Sequence, residues 1–374
     1  MAELKLDLKL LEKLSNAFGP SGYETEAQKI ALEYGKKYAD SVEFDRTGSI
    51  IFKKGSSGPK IFLAGHSDEI GFVICGIDKT GYLRINNLGG WWSHSILSQQ
   101  ILIRTMDGKK IMGIIVAPPP HILSEEQRNK IIPLEKMFLD VGCNSEKEVN
   151  ELGIQIGDPA VPVSIFRIEK RTRINTKDET KKEEVQLAIG KAFDDRIGVF
   201  IILEVLRKLK QDNIKHPNIV YCASTTQEEV GARGARTSAH LIQPDLGFSL
   251  DVDVSGDIPG VSDLTQKMGE GVSISAGDGS MIPNPVFRKH VIQIAEKHKI
   301  KWQPAFLRRG GTDAGAIHLT GIGAPSLFIG IPTRHIHTHN GILNLNDVEN
   351  AINLLVEVIQ TLDEKTVQSF TKLE

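Results

Sequence analysis

The chain has 374 residues, 40% of them hydrophobic and 25% charged, and its 45 basic and 47 acidic side chains leave a formal net charge of -2. That balance excludes a disordered polyelectrolyte, and no basic block is present to neutralise a phosphate backbone, so nucleic acid is not an expected partner. The length predicts one large domain with a smaller companion; no run is long and apolar enough for a bilayer, and Met1 to Leu11 alternates charge with leucine instead of building a signal core, which predicts a cytoplasmic protein.

Leu10, Leu11, Leu14 and Phe18 follow helical spacing up to the break at Gly19-Pro20. Ser21 and Glu24 then read as a capping box for a second helix with Ala27, Ile30, Ala31 and Tyr34 inside. Strands are predicted over Ser49 to Lys53 and Lys60 to Ala64, the latter running into Gly65-His66. From about Glu69 to Ser164 the texture changes to short β-prone runs, Gly71 to Ile77, Tyr82 to Ile85, Gln100 to Arg104 and Lys110 to Val116, which predict a small barrel or sandwich inserted as residues 69–164. The charged stretch Arg167 to Glu184 is an exposed loop or hairpin. Beyond it helix alternates with strand: Ile202, Val205, Leu206 and Leu209 share a helical face, Asn218 to Ala223 and Asp245 to Leu250 are strands, and Asn346 with Glu349 caps a last helix carrying Val348, Ala351, Ile352, Leu355 and Ile359. Residues 1–68 and 165–374 therefore make one discontinuous α/β domain.

The candidate chemistry gathers at the ends of these strands, where open α/β sheets build their sites. His66 and Asp68 follow one strand; a lone His there is more often hydrogen-bonded core than ligand, and Asp68 has the spacing to orient it. Asp194-Asp195 opens a helix and, taken alone, reads as capping plus an ion pair with Arg196; the sharper reading is a carboxylate bridging two metals. Glu228-Glu229 follows another strand. An exposed acidic pair is usually inert, but neighbours in an extended segment point to opposite sides, so one Glu can bind metal while the other faces a reacting water. Asp251, with Asp253 and Asp257 beyond it, stands at a third strand end. In His335-Ile336-His337-Thr338-His339 alternation on an extended segment places three imidazoles on one face, suited to zinc, cobalt or nickel. Gly310-Gly311 permits close backbone approach, and Thr312 or Asp313 is placed to cap a helix. Cys75, Cys143 and Cys222, odd in number and far apart, fit neither a disulfide framework nor a thiolate zinc site and read as buried apolar residues.

Six stretches together resemble the tetrahedral aminopeptidases, a group that includes deblocking and glutamyl aminopeptidases and members labelled endoglucanases: Gly65 to Gly71, Lys191 to Arg196, Gln227 to Gly231, Ser249 to Val252, Gly310 to Ala316 and Pro332 to His337. The likeness extends into the insert through Ala117 to His121 and Leu139 to Gly142. It implies a mixed-sheet metallopeptidase domain with helices on both faces and an all-β, barrel-like dimerisation domain. It also implies two divalent ions per subunit, zinc or cobalt before manganese. Asp194 would bridge them, His66 and Asp251 would complete one, and Glu229 and His337 the other. Glu228 would be the general base, with Asp68 and Asp195 supporting the ligands. Short peptides would be the substrates of a homo-oligomer, a dimer or a tetrahedral dodecamer. Two other functions are carried alongside: a glycoside hydrolase using paired carboxylates with Trp91-Trp92 as a sugar platform, and a non-catalytic metal-binding assembly. The roles of His335 and His339 and the preferred N-terminal residue are left open by spacing.

Overall fold

The computed structural model describes residues 6–175, 178–261 and 263–372. The first five residues of the Met1 to Leu11 stretch, and residues 176–177 of the charged segment, lie outside the described residues. Continuous apolar runs suit strands buried on both faces. Ile219–Thr225, Lys60–His66, Leu246–Val254 and Ser326–Arg334 are such runs, and they lie parallel, side by side, at the centre of an eleven-stranded mixed sheet. Antiparallel strands flank them: Ile50–Lys54 and Ser41–Phe44 on one side, Gly341–Asn344, Asp178–Gly190 and Arg167–Asn175 on the other. The charged segment is thus an edge hairpin, where charge discourages pairing with another sheet.

Helices Phe193–Gln211 and Leu345–Ile359 pack on one face of the sheet, and Arg233–Ile242 and Asp313–Ile317 on the other. The larger core joins Phe200 and Leu206 to Phe248, Leu250 and Ile352, all buried. Contact between the Phe193–Gln211 helix and the Lys60–His66 strand requires two glycines. A Cβ on Gly65 would stand 2.4 Å from the Gly198 carbonyl carbon, and one on Gly198 would stand 2.2 Å from the Leu250 carbonyl oxygen. Their absence lets the first turn of the helix sit against the strand that ends in His66.

Six strands, Gly71–Ile77, Leu83–Leu88, Phe138–Asp140, Lys110–Val116, Gln100–Arg104 and Pro159–Pro162, close into a separate barrel around Phe72, Ile74, Leu83, Ile101, Ile115 and Leu139. Of the two all-β forms consistent with the sequence, closure decides for the barrel: the last strand pairs with both Gly71–Ile77 and Gln100–Arg104 and leaves no open edge.

Three local expectations are corrected. The second helix, Thr25–Gly35, has no side-chain cap; the Ser21 hydroxyl donates instead to Asp68 (2.7 Å) and Glu24 accepts from Gly22 N–H (2.7 Å) and Gln227 N–H (3.1 Å). The last long helix is capped by Asn344, whose side chain accepts from Asn346 N–H, so the cap falls two residues earlier than Asn346. Of the cysteines only Cys222 is buried; Cys143 is half-buried, Cys75 exposed, and all three are free thiols.

A buried charge cluster fastens the N-terminal segment to the sheet. Lys191 Nζ donates to both Glu69 oxygens (2.6 Å each) and to Ala17 O (3.1 Å), while the Arg196 guanidinium donates to Leu14 O and Gly19 O and lies 3.6 Å from Glu69. Removing one member of a buried ion pair leaves its partner uncompensated. Glu69→Ala is therefore expected to cost about 3–5 kcal/mol of unfolding free energy in urea titrations, and a cost below about 1 kcal/mol would contradict this account.

Candidate metal centre

The four parallel strands end on one side of the sheet, and their carboxyl ends carry the candidate groups. His66 closes its strand. Its Nδ1 faces the Asp68 carbonyl (3.1 Å) and carboxylate (3.3 Å), which makes it the protonated nitrogen and turns Nε2 toward the cavity. There Nε2 lies 3.0 Å from Asp194 Oδ1, 3.7 Å from Glu228 Oε2 and 3.8 Å from Asp251 Oδ2. His337 is oriented in the same manner from elsewhere. Its Nδ1–H donates to Gly90 O at 2.6 Å, leaving Nε2 3.1 Å from Asp194 Oδ2 and 3.7 Å from Glu229 Oε1. The two oxygens of one carboxylate, Asp194, thus face two imidazoles.

Two ligand-competent triads result, His66 with Asp194 and Asp251, and Asp194 with Glu229 and His337, and within each the ligand atoms lie within 4.8 Å of one another. Asp195 points away from both; it accepts from His66 N–H (2.9 Å) and Gly198 N–H (2.8 Å), holding strand end and helix start together. Asp68 is fully buried. Its oxygens accept from Ser21 Oγ, Glu228 N–H (2.9 Å) and Glu229 N–H (3.1 Å), so it positions His66 and the Glu228-Glu229 turn together and does not itself face the cavity.

The Glu228-Glu229 segment is not extended as its sequence suggested. Gln227 has φ +57°, Gly231 has φ +123°, and Glu228 O accepts from Gly231 N–H, so the chain turns and both carboxylates reach one cavity instead of opposite sides. Two further expectations change. Asp251 is not terminal in its strand, which runs to Val254 and places Asp253 on the same face, while Asp257 is spent on an ion pair with Arg334. The three histidines are not on one extended face: the strand ends at Arg334, His335 (φ +63°) and His337 (φ +54°) lie in a turn, and His337 alone of the three lines the cavity. His339 is half-buried with Nδ1 unpartnered.

Electrostatically the site is short of positive charge. Asp68, Asp194, Asp195, Glu228, Glu229, Asp251 and Asp313 converge on two imidazoles, and among the described residues no lysine or arginine pairs with any of them. Burial, then the neighbouring acids, pushes Glu228 and Asp251 well above the usual carboxylate range and Glu229 to about 8. Burial also presses upward on Asp194, yet hydrogen bonds from His337 and His66 outweigh it and hold that group well below its ordinary value. His337, despite burial, is raised to about 10 by Asp194 and Glu229. Such a cluster needs cationic charge, and protons on the imidazoles or divalent ions supply it. The donor set suits a borderline metal, and Glu229 Oε1, buried without a hydrogen-bond partner, is a ligand atom left over by the protein's own contacts.

Several residues at the site escaped the sequence. Gly89-Gly90, in the loop after barrel strand Leu83–Leu88, reaches across to it; a Cβ on Gly89 would stand 2.7 Å from Glu229 Oε2. A double glycine beside two tryptophans is a signal of close backbone approach that was available. Asp313 accepts from Thr225 Oγ1 at 2.6 Å while Thr312 caps the helix. Trp91, by contrast, stacks on Phe72 (5.0 Å between centroids) and donates to Gly71 O, so it belongs to the barrel and not to a sugar platform lining the cavity.

Parallel strand ends that gather imidazoles and carboxylates around an open cavity of about 630 Å³ define an α/β protein with a candidate metal centre. The M42 glutamyl aminopeptidase model matches residues 48–354, and the chain belongs to that family. It is thereby a peptide hydrolase of the aminopeptidase kind, and the resemblance drawn from its motifs holds. It is similar to the TET aminopeptidase of the marine sediment archaeon Thaumarchaeota archaeon SCGC AB-539-E09 (45% identity, TM-score 0.89, covering 97% of this chain and 99% of that one). It is also similar to the lysyl aminopeptidase of Pyrococcus furiosus (29% identity, 96% and 98% covered). A third likeness is to the Pyrococcus horikoshii TET1 peptidase, which can assemble into a tetrahedron or a large octahedral shell (29% identity, TM-score 0.79, 95% and 99% covered).

Proposed function

We propose that the chain removes N-terminal residues from short peptides with two divalent ions, held by His66, Asp194 and Asp251 and by Asp194, Glu229 and His337, and with Glu228 as general base. The observation that carries this reading is Asp194, whose Oδ1 and Oδ2 lie 3.0 and 3.1 Å from the Nε2 atoms of two different histidines, so that one carboxylate is shared by both triads. Zinc or cobalt suits the donors best, with manganese compatible. Bound ions would lower the pKa of a water and polarise the scissile carbonyl.

The protein's own groups do the rest. Glu228 lines the cavity, belongs to neither triad and is partly exposed, so it takes the proton of the attacking water and passes it to the leaving amine. The surrounding carboxylates favour a substrate that presents a free ammonium group, which selects chain ends over internal bonds. Asp68 and Asp195 keep the two strand ends and the Glu228-Glu229 turn in register.

The barrel within residues 69–164 is the proposed dimerisation domain, with 1–68 and 165–374 as the catalytic domain. Met112 and Ile114, exposed on the outer face of the Lys110–Val116 strand, support a partner there, and the shells formed by the Pyrococcus horikoshii relative support a homo-oligomer, a dimer or a dodecamer. A cytoplasmic location accords with three free thiols and with the absence of any helix long and apolar enough to cross a membrane among the described residues.

The test is a chelator. Dialysis against one is expected to lower hydrolysis of aminoacyl p-nitroanilides at least about 100-fold and added zinc or cobalt to restore it. Undiminished turnover after verified metal removal would end the metal-dependent reading.

A further inference from the structure

The family description names a glutamyl activity and one relative a lysyl activity, so the side chain this enzyme accepts must be read from its own cavity. Beyond the two triads the same cavity is also lined by Ser280, Leu307, Gly311, Phe328 and Asp253. Asp253 lies two residues beyond Asp251 on the same face of the Leu246–Val254 strand, which sets the two carboxylates about 7 Å apart along it. Asp253 is 2% exposed. One oxygen accepts from Gln266 Nε2 at 3.1 Å; the other, Oδ2, is buried without a hydrogen-bond partner, and the Ser273 hydroxyl beside it is likewise buried and unpartnered. Gly330 makes the arrangement possible, since a Cβ there would fall 2.7 Å from Asp253 Cβ and 2.8 Å from Phe328 Cζ.

Resting on the aminopeptidase reading, we propose that Asp253 is the specificity-determining residue of this cavity and that it selects substrates whose N-terminal side chain is basic, lysine above all. A buried carboxylate oxygen with no donor is costly to leave unmatched, and a ligand ammonium or guanidinium supplies the donors it lacks. Leu307 and Phe328 offer an apolar flank for the methylene stem, and the distance from Asp251 to Asp253 matches a four-carbon side chain that reaches from an α-amine held at the acid cluster. Arg236 and Arg309 also border the cavity, but both are exposed at its mouth, where solvent and salt screen them. They act on the approach of a peptide; Asp253 acts on the side chain that enters.

The experiment compares the metal-loaded wild type with Asp253→Asn on p-nitroanilides of lysine, norleucine and glutamate. Norleucine keeps the lysine stem and lacks its charge. Wild-type kcat/KM is expected to favour lysine over norleucine, and the asparagine variant to reduce that ratio about 10- to 100-fold. A ratio unchanged by the substitution, including a parallel fall on both substrates, overturns the proposal, as does wild-type preference for glutamate. Calorimetric titration with free lysine and free norleucine reads the same cavity without turnover. Lysine should bind the wild type at least about tenfold more tightly than norleucine and lose that advantage in the variant; equal affinities overturn the proposal. An enzyme inert on every substrate would sink the aminopeptidase mechanism, while the titration still decides the role of Asp253.

Discussion

Replacing Glu228 with glutamine is expected to lower kcat for N-terminal residue release by about 10³-fold, within the range that a positioned general base contributes, with the metal content unchanged. The substitution keeps the shape of the side chain and removes only its capacity to take and return a proton. Glu228 is suited to such a test because neither ligand triad includes it, and its backbone N–H, not its carboxylate, makes the contact to Asp68 that fixes the turn. Steady-state kinetics on an aminoacyl p-nitroanilide, together with metal analysis of the purified variant, gives the result. Wild-type turnover would remove Glu228 from the mechanism; loss of bound metal would move it into the ligand set.

The second large effect belongs to Asp194. Its two oxygens address His66 and His337 separately, so Asp194→Ala withdraws a proposed ligand from both triads at once, whereas His66→Ala or His337→Ala withdraws one from a single triad. Zinc titration by calorimetry is therefore expected to lose both sites in the Asp194 variant, with activity down at least about 10³-fold, and to retain one site in each histidine variant. Retention of two full-affinity sites without Asp194 would show that the carboxylate does not bridge.

The glutamate pair also explains why pairing acids in sequence is a poor guide to their chemistry. In an extended chain Glu228 and Glu229 would diverge, and one would be lost to the site. The turn between Gln227 and Gly231 brings both to the same cavity, and the turn is held by Asp68 and Glu24, which accept the N–H groups of residues 227, 228 and 229. Asp68 thereby couples the geometry of one proposed ligand, His66, to that of another, Glu229, and to that of the proposed base, Glu228.

Pattern along the chain is enough to place the strands and helices that carry the site and the stretches that supply it. Gly71 to Ile77, Gln100 to Arg104 and Lys110 to Val116 are strands with the bounds their patterns suggest, and His66, Asp194, Glu229, Asp251 and His337 all come to one place. The strands follow from a local cause, the period of the apolar residues, whereas the five-residue set is implied by the family resemblance together with the tendency of parallel strands to end together. Tertiary structure alone decided which polar group meets which. Ser21 and Glu24 had the pattern of a helix cap and were drawn instead to the buried Asp68 carboxylate and to the Gln227 N–H, which lie within their reach in the folded chain. Among three alternating histidines, His337 was chosen by the carbonyl of Gly90, a barrel-loop residue 247 positions away, and the barrel itself was settled by pairing Gly71–Ile77 with Pro159–Pro162. Spacing along the chain cannot encode such partners, because a hydrogen bond in the interior is selected by what burial leaves within reach and not by what is near in sequence.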